Sequence, residues 1–191
     1  MYTPPPQKHP PKRPNDQTTK QPMKTKAFIL TAFFAFAAIV MKAQSVEVYF
    51  SDNSGSPTNI RNAPNGKVVQ RVPKDSDGML TVEKAQNGWW KISGNSYDEP
   101  DKGEIRLTGA KSFYIHYSCI AVDTRNYGGQ TLQLRSTPSS RGRVVYSFKD
   151  EKSLRPVDAR NGWVKVKTFD GKHEGWIEAE WLCGNSVTNC C

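Results

Sequence analysis

From residue 44 onward, apolar and polar positions alternate in short bursts. Runs at 67–72, 79–85, 89–93, 144–148, 163–169 and 174–179 are rich in Val, Ile, Trp and Tyr. A two-residue period sorts side chains onto the two faces of a strand, so these runs predict β-strands. Between them stand Pro64–Asn65–Gly66, Asp77–Gly78, Asn87–Gly88, Asn161–Gly162 and Asp170–Gly171, which are turn signals. The two Asn–Gly pairs predict tight hairpins, because a primed turn needs positive φ at both central residues. No stretch after residue 44 sustains a helical period over three turns. The expected fold is all-β.

The pattern occurs twice. One copy opens at 58–70 with Ile60–Arg61, then Pro64, then Gly-Lys-Val-Val. The other opens at 132–146 with Leu134–Arg135, then Pro138, then Gly-Arg-Val-Val. Further on, Asn-Gly-Trp-Trp-Lys-Ile at 87–92 answers Asn-Gly-Trp-Val-Lys-Val at 161–166. A closing segment at 113–120 answers 175–182, with Tyr114 in the place of Trp176 and Cys119 in that of Trp181. Matches in one order at nearly constant offset point to duplication.

Charge changes the picture less than its total of +9 suggests. Residues 1–43 carry seven Lys or Arg and one acid, whereas 44–191 carry twenty and seventeen. A nearly balanced body lacks the basic field that tracks phosphates, and no nucleic-acid partner is expected. Residues 1–22, rich in Pro, Lys, Thr and Gln, cannot bury enough surface to fold. They read as disordered, and Met23 reads as the true start. Lys24 and Lys26 then precede an apolar run from Ala27 to Val40 interrupted only by Thr31, with Ala43 before Gln44. Residues 23–43 therefore read as a secretory signal peptide. The run is short of the roughly 20 residues a span needs, and a retained anchor is the competing reading. Membrane contact is expected only through this segment, if uncleaved.

At Leu134, Arg135, Pro138, Val144, Asn161, Gly162, Trp163, Gly175, Trp176, Ile177 and Leu182 the second copy resembles the bacterial SH3 domain family. It departs at Asp150–Glu151–Lys152, where the family has a Lys-Gly turn. The first copy, about 46–120, resembles the family at its start and middle. It then carries an insertion at 93–111, either an ordered lid or a mobile flap. The resemblance implies two tandem small SH3-like β-barrels, module 1 at 44–122 and module 2 at 123–191, with a short connector at 122–130. Barrels of about 60–70 residues bury little surface alone, so the two are expected to pack on each other.

Chemistry-bearing residues are sparse. A thiol nucleophile needs an activating His, and His116 lies near Cys119, but both fall on the expected closing strand and read as an edge His and a packed thiol. Paired Cys-x-x-Cys spacing is absent, so no metal site is expected. Catalytic residues and cofactors are expected to be none. In an oxidising compartment the cysteines can pair, and a vicinal Cys190–Cys191 bond closes a strained ring. The preferred pairing joins Cys183 to Cys190 or Cys191, with free thiols as the alternative. Trp163 and Ile177 are expected in the core. Trp90, which alternates with Trp89, and Tyr127, just ahead of module 2, are the expected surface aromatics. Arg61 and Arg135 recur at matched places, either bonding a loop or clamping a ligand carboxylate.

The function these features imply is non-catalytic binding outside the cytoplasm, periplasmic or extracellular. The resemblance implies peptidoglycan, through its peptide or glycan, as the partner, with two modules adding avidity. Docking of another envelope or secreted protein is the alternative, ahead of an envelope enzyme or enzyme inhibitor.

Overall fold

The computed structural model describes residues 1–6, 44–84 and 86–185. The chain divides into two compact units, Met1–Ile39 and Val40–Cys191. Of the first, only residues 1–6 are described, and they are exposed and irregular. The expected signal peptide, 23–43, lies outside the described residues, as do Cys190 and Cys191. No helix among the described residues is long and apolar enough to cross a membrane.

The second unit is all-β. Its first half runs β1 (Ser45–Phe50), β2 (Thr58–Arg61), β3 (Val68–Val72), β4 (Met79–Lys84), β5 (Trp89–Ile92), β6 (Ser96–Glu99), β7 (Gly103–Arg106) and β8 (Tyr114–His116), then a 3₁₀ turn at Tyr117–Cys119. The second half runs β9 (Ile120–Thr124), β10 (Leu132–Arg135), β11 (Val144–Phe148), β12 (Ser153–Arg160), β13 (Trp163–Thr168) and β14 (Glu174–Glu178), then a 3₁₀ turn at Ala179–Trp181 and β15 (Leu182–Cys183). All pairings are antiparallel. The main path runs β11-β10-β14-β13-β12-β9-β1-β4-β5-β8-β2-β3 and does not close on itself.

The two halves share features of register. Arg61 pairs with Val68 across a bulge after Ile60, and Arg135 pairs with Val144 across a bulge after Leu134. Arg61 faces Tyr114 as Arg135 faces Trp176. Trp90 faces Ile115 as Val164 faces Ile177. Both Asn–Gly turns take the left-handed conformation that the sequence predicts, at φ 53° and 81° in one half and 52° and 82° in the other. Each turn then holds the 3₁₀ turn of its own half. Tyr117 N–H donates to Gly88 O, and Ala179 N–H to Gly162 O, both at 2.8 Å.

One strand serves both halves. β9 closes the first half by pairing Ile120 with Phe50 and Ala121 with Tyr49. The same strand opens the second half by pairing Val122 with Leu154, and receives β15 at Asp123 and Thr124. The boundary read at 122/123 falls inside this strand, and the expected connector is strand as far as Thr124.

Side chains lock the junction further. The Trp90 indole Nε1–H donates to Pro156 O at 2.9 Å. The Tyr49 hydroxyl donates to Asp123 Oδ1 at 2.7 Å. Arg155 Nη1 donates to Ser51 O and Ile120 O. A single buried cluster draws on both halves, from Val48, Ile60, Val82 and Trp90 to Leu134, Leu154, Val164 and Ile177. Each such side chain contributes about 1.5–3 kcal/mol of transfer free energy. The 93–111 segment is ordered in part as the β6–β7 hairpin, anchored by buried Tyr97 and Leu107.

Candidate functional site

The second half presents a small cleft of about 160 Å³, lined among others by Gln133, Arg135, Ser140, Trp163, Glu178 and Trp181. Strand alternation builds it. β10 buries Leu132 and Leu134 and turns Gln133 and Arg135 outward. β13 buries Val164 and turns Trp163 outward. Trp163 stands opposite Glu178 on β14, and the following 3₁₀ turn brings Trp181 beside them. Two half-buried indoles, a carboxylate and a guanidinium thus meet over a floor of Leu132 and Ile177.

Arg135 performs the loop role in this site. Its Nη1 donates to Gly142 O at 2.9 Å and its Nη2 to Gln133 Oε1 at 2.8 Å. A guanidinium has five donor hydrogens, so these bonds fix its plane while its side chain still lines the cleft. Arg61 matches it, donating to Gly66 O at 2.7 Å. The carboxylate-clamp reading therefore applies only to the donors that the loop leaves.

In the first half the matched positions hold Asn59, Arg61, Trp89, His116 and Cys119. Here the aromatics lie against each other. The Trp89 and His116 rings are 5.2 Å apart, those of His116 and Tyr117 are 4.5 Å apart, and Arg61 lies 5.9 Å over Trp89. Asn59 is one methylene shorter than Gln133. Its Oδ1 is buried and has no hydrogen-bond partner among the described residues. His116 Nδ1 sits 2.8 Å from Ser118 Oγ, and burial lowers its pKa. Burial, reinforced by the Asp52 carboxylate, pushes the free Cys119 thiol up to about 11. That is the opposite of what a thiolate nucleophile requires.

Other expected sites fall differently. Trp90 is corrected from surface to core, at 1% exposed. Alternation was right that the two Trp residues face opposite ways, but Trp89 is the outward one. Trp163, expected in the core, is only half-buried because Val164 takes the inward place, whereas Ile177 is buried as expected. Tyr127 is 42% exposed but does not line the cleft. Cys183 is buried on β15 and takes the Asn185 amide at 3.4 Å, and its expected partners lie outside the described residues. No cluster that could hold a metal occurs among the described residues. Glu178 and Trp181, which complete the cleft, were missed as site residues. Their signal was their place after Gly-Trp-Ile, read only as a closing strand.

With this geometry in place, comparison with known families is specific for one segment. Residues 130–182 match the bacterial SH3 domain. The matched SH3 segment contains β10 to β14 and the second 3₁₀ turn, and so the whole cleft, and it is the one copy detected. No curated protein matches the chain. Among solved structures, NlpC1 from Trichomonas vaginalis aligns with 74% of this chain and 46% of its own, at 11% identity and a TM-score of 0.29. NlpC2 from the same organism aligns with 74% of this chain and 49% of its own, at 10% identity and a TM-score of 0.29. The chain spans about half the length of these proteins.

Proposed function

We propose that this is an exported, non-catalytic binding protein in which the first half is a second, diverged SH3 copy fused to the SH3 segment through β9. Its ligand is cell-wall peptide or glycan, held in the cleft between Trp163 and Trp181. The observation that carries this reading is the convergence of two half-buried indoles, Arg135 and Glu178 on one face of β10, β14 and β13 and the 3₁₀ turn that follows, within the SH3 segment. Rigid rings offer contact area at low entropy cost, and the charged pair orients a polar chain between them. The high Cys119 pKa supports a non-catalytic role.

Retention on purified peptidoglycan tests the reading. Wild-type protein should be retained, and the W163A/W181A pair should weaken retention by roughly tenfold or more. A wild type that passes through unretained sinks it. That result would favour docking of another exported protein, a reading supported by the exposed Val144 on the terminal strand β11.

A further inference from the structure

We propose that the second half carries a separate carbohydrate site, in which Phe169 is the stacking platform for one pyranose ring. The site is a cleft of about 310 Å³ lined by Tyr146, Lys152, Ser153, Phe169, Asp170 and His173, with Thr168 beneath. It shares no lining residue with the Trp163 cleft, and the inference does not rest on that cleft binding anything.

Phe169 is 42% exposed, a large apolar ring left at the surface. Its position is nevertheless fixed. The Arg155 guanidinium lies 3.9 Å from its centroid, and Arg155 is itself only 8% exposed and tethered to the carbonyls of Ser51 and Ile120. A cation against one face of an aromatic ring is favourable, and here it fixes a ring that remains in part exposed. Tyr146 and His173 add a second flat wall, stacked at 3.9 Å and 12°. Around these rings stand donors and acceptors. They are Lys152, Ser153, the His173 ring and the Asp170 carboxylate, the last held by Thr168 Oγ1 at 2.6 Å and Lys172 N–H at 3.1 Å.

A pyranose needs this combination. Its C–H face meets the negative face of an aromatic ring, and its equatorial hydroxyls demand donors and acceptors at the rim. One cation and one anion at the rim suit a neutral ring better than a phosphate. A nucleobase also stacks on such rings, but its strand needs a basic track that Asp170 interrupts. The cleft volume lies at the lower end for small-ligand sites. The first half has no such platform. Counting along the shared register, Thr81 stands where Arg155 does and Asn95 where Phe169 does. This platform therefore belongs to the second half alone among the described residues.

The test is a titration of the full chain with chitotetraose, a peptide-free β-1,4-linked N-acetylglucosamine oligomer, followed by NMR and calorimetry. Saturable binding with shifts at the Phe169, Tyr146 and His173 rings is expected. F169A should weaken binding at this site by roughly tenfold or more and remove the shifts at the Tyr146 and His173 rings, and F169W should retain both. Thermal unfolding of F169A and F169W checks that both variants fold. No saturable binding, binding abolished by W163A rather than F169A, or Phe169-dependent binding of a dT oligonucleotide in place of the sugar would each overturn the proposal. Retention on peptidoglycan lost only in W163A/W181A leaves it standing, so the two sites fail separately.

Discussion

In the second half, Trp163, Glu178 and Trp181 stand apart around an open cleft. In the first, Trp89, His116 and Cys119 hold the same register positions, and the Trp89 and His116 rings fold against each other. The two halves share their bulges, their Asn–Gly turns, the Arg bond to the following loop and the hydrogen bond from each 3₁₀ turn to its hairpin. What they share is backbone geometry, and what differs is side chains that leave the core. The two halves keep one frame and carry different surfaces. Their interiors differ too, since Trp90 in one half answers Val164 in the other and extends across the junction to Pro156.

Four experiments press on this comparison. The largest effect is expected from Trp90→Ala, which removes a core ring and the Pro156 hydrogen bond, at about 3–5 kcal/mol. Because the core is continuous, urea unfolding followed by Trp fluorescence and by amide exchange in β13 should show one transition shifted for both halves. A second half that unfolds separately, at its original midpoint, would break the shared-sheet account.

Next is the chemistry of Cys119. With its pKa held at about 11 rather than near 9, alkylation by iodoacetamide at neutral pH should run about a hundredfold slower than for an unperturbed thiol. A rate equal to that of a free thiol would remove the contrast with a nucleophile. A third comparison uses Gly175, which matches Phe113. The first half buries a phenyl ring there, whereas a Cβ on Gly175 would meet Leu134 Cβ at 2.8 Å and Val145 Cγ2 at 2.9 Å. Gly175→Ala should therefore cost about 1–3 kcal/mol by overpacking, read as a fall in Tm.

The smallest effect concerns Tyr49, whose hydroxyl ties β1 to Asp123. Burial raises its pKa from 10.0 to about 12. A raised folded-state pKa means stability that is fully present below pH 10 and lost as pH climbs through 12. Tyr49→Phe should cost about 0.5–1.5 kcal/mol near neutrality and flatten the alkaline decline. An unchanged decline in denaturation midpoint between pH 9 and 12 would show that Tyr49 is not its source.

Much of this was legible in the chain. The strands at 144–148, 163–169 and 174–179 and the two Asn–Gly hairpins are local signals, and each appears in the structure. Features set by distant contacts were not. Alternation says that Trp89 and Trp90 part ways, but only the partner surface, here Pro156, decides which goes inward. Nothing local marks Ile120–Thr124 as a strand with two owners. The β6–β7 hairpin hid in a segment rich in Gly, Ser and Asp, where strand propensity is low and Tyr97 and Leu107 do the anchoring. Phe169 reads as the end of a strand, and the Arg155 beneath it comes from a different strand and gives no sign in sequence.

A strand used on both edges also orders events in time. As the chain emerges from its N-terminal end, β1 can pair with β4 at once, but its other edge waits for Ile120 and Ala121. Non-local partners are slow to find and leave edges open meanwhile. The first half therefore stays open along β1 until Ile120 and Ala121 have emerged, and until then the growing chain carries an unpaired strand edge.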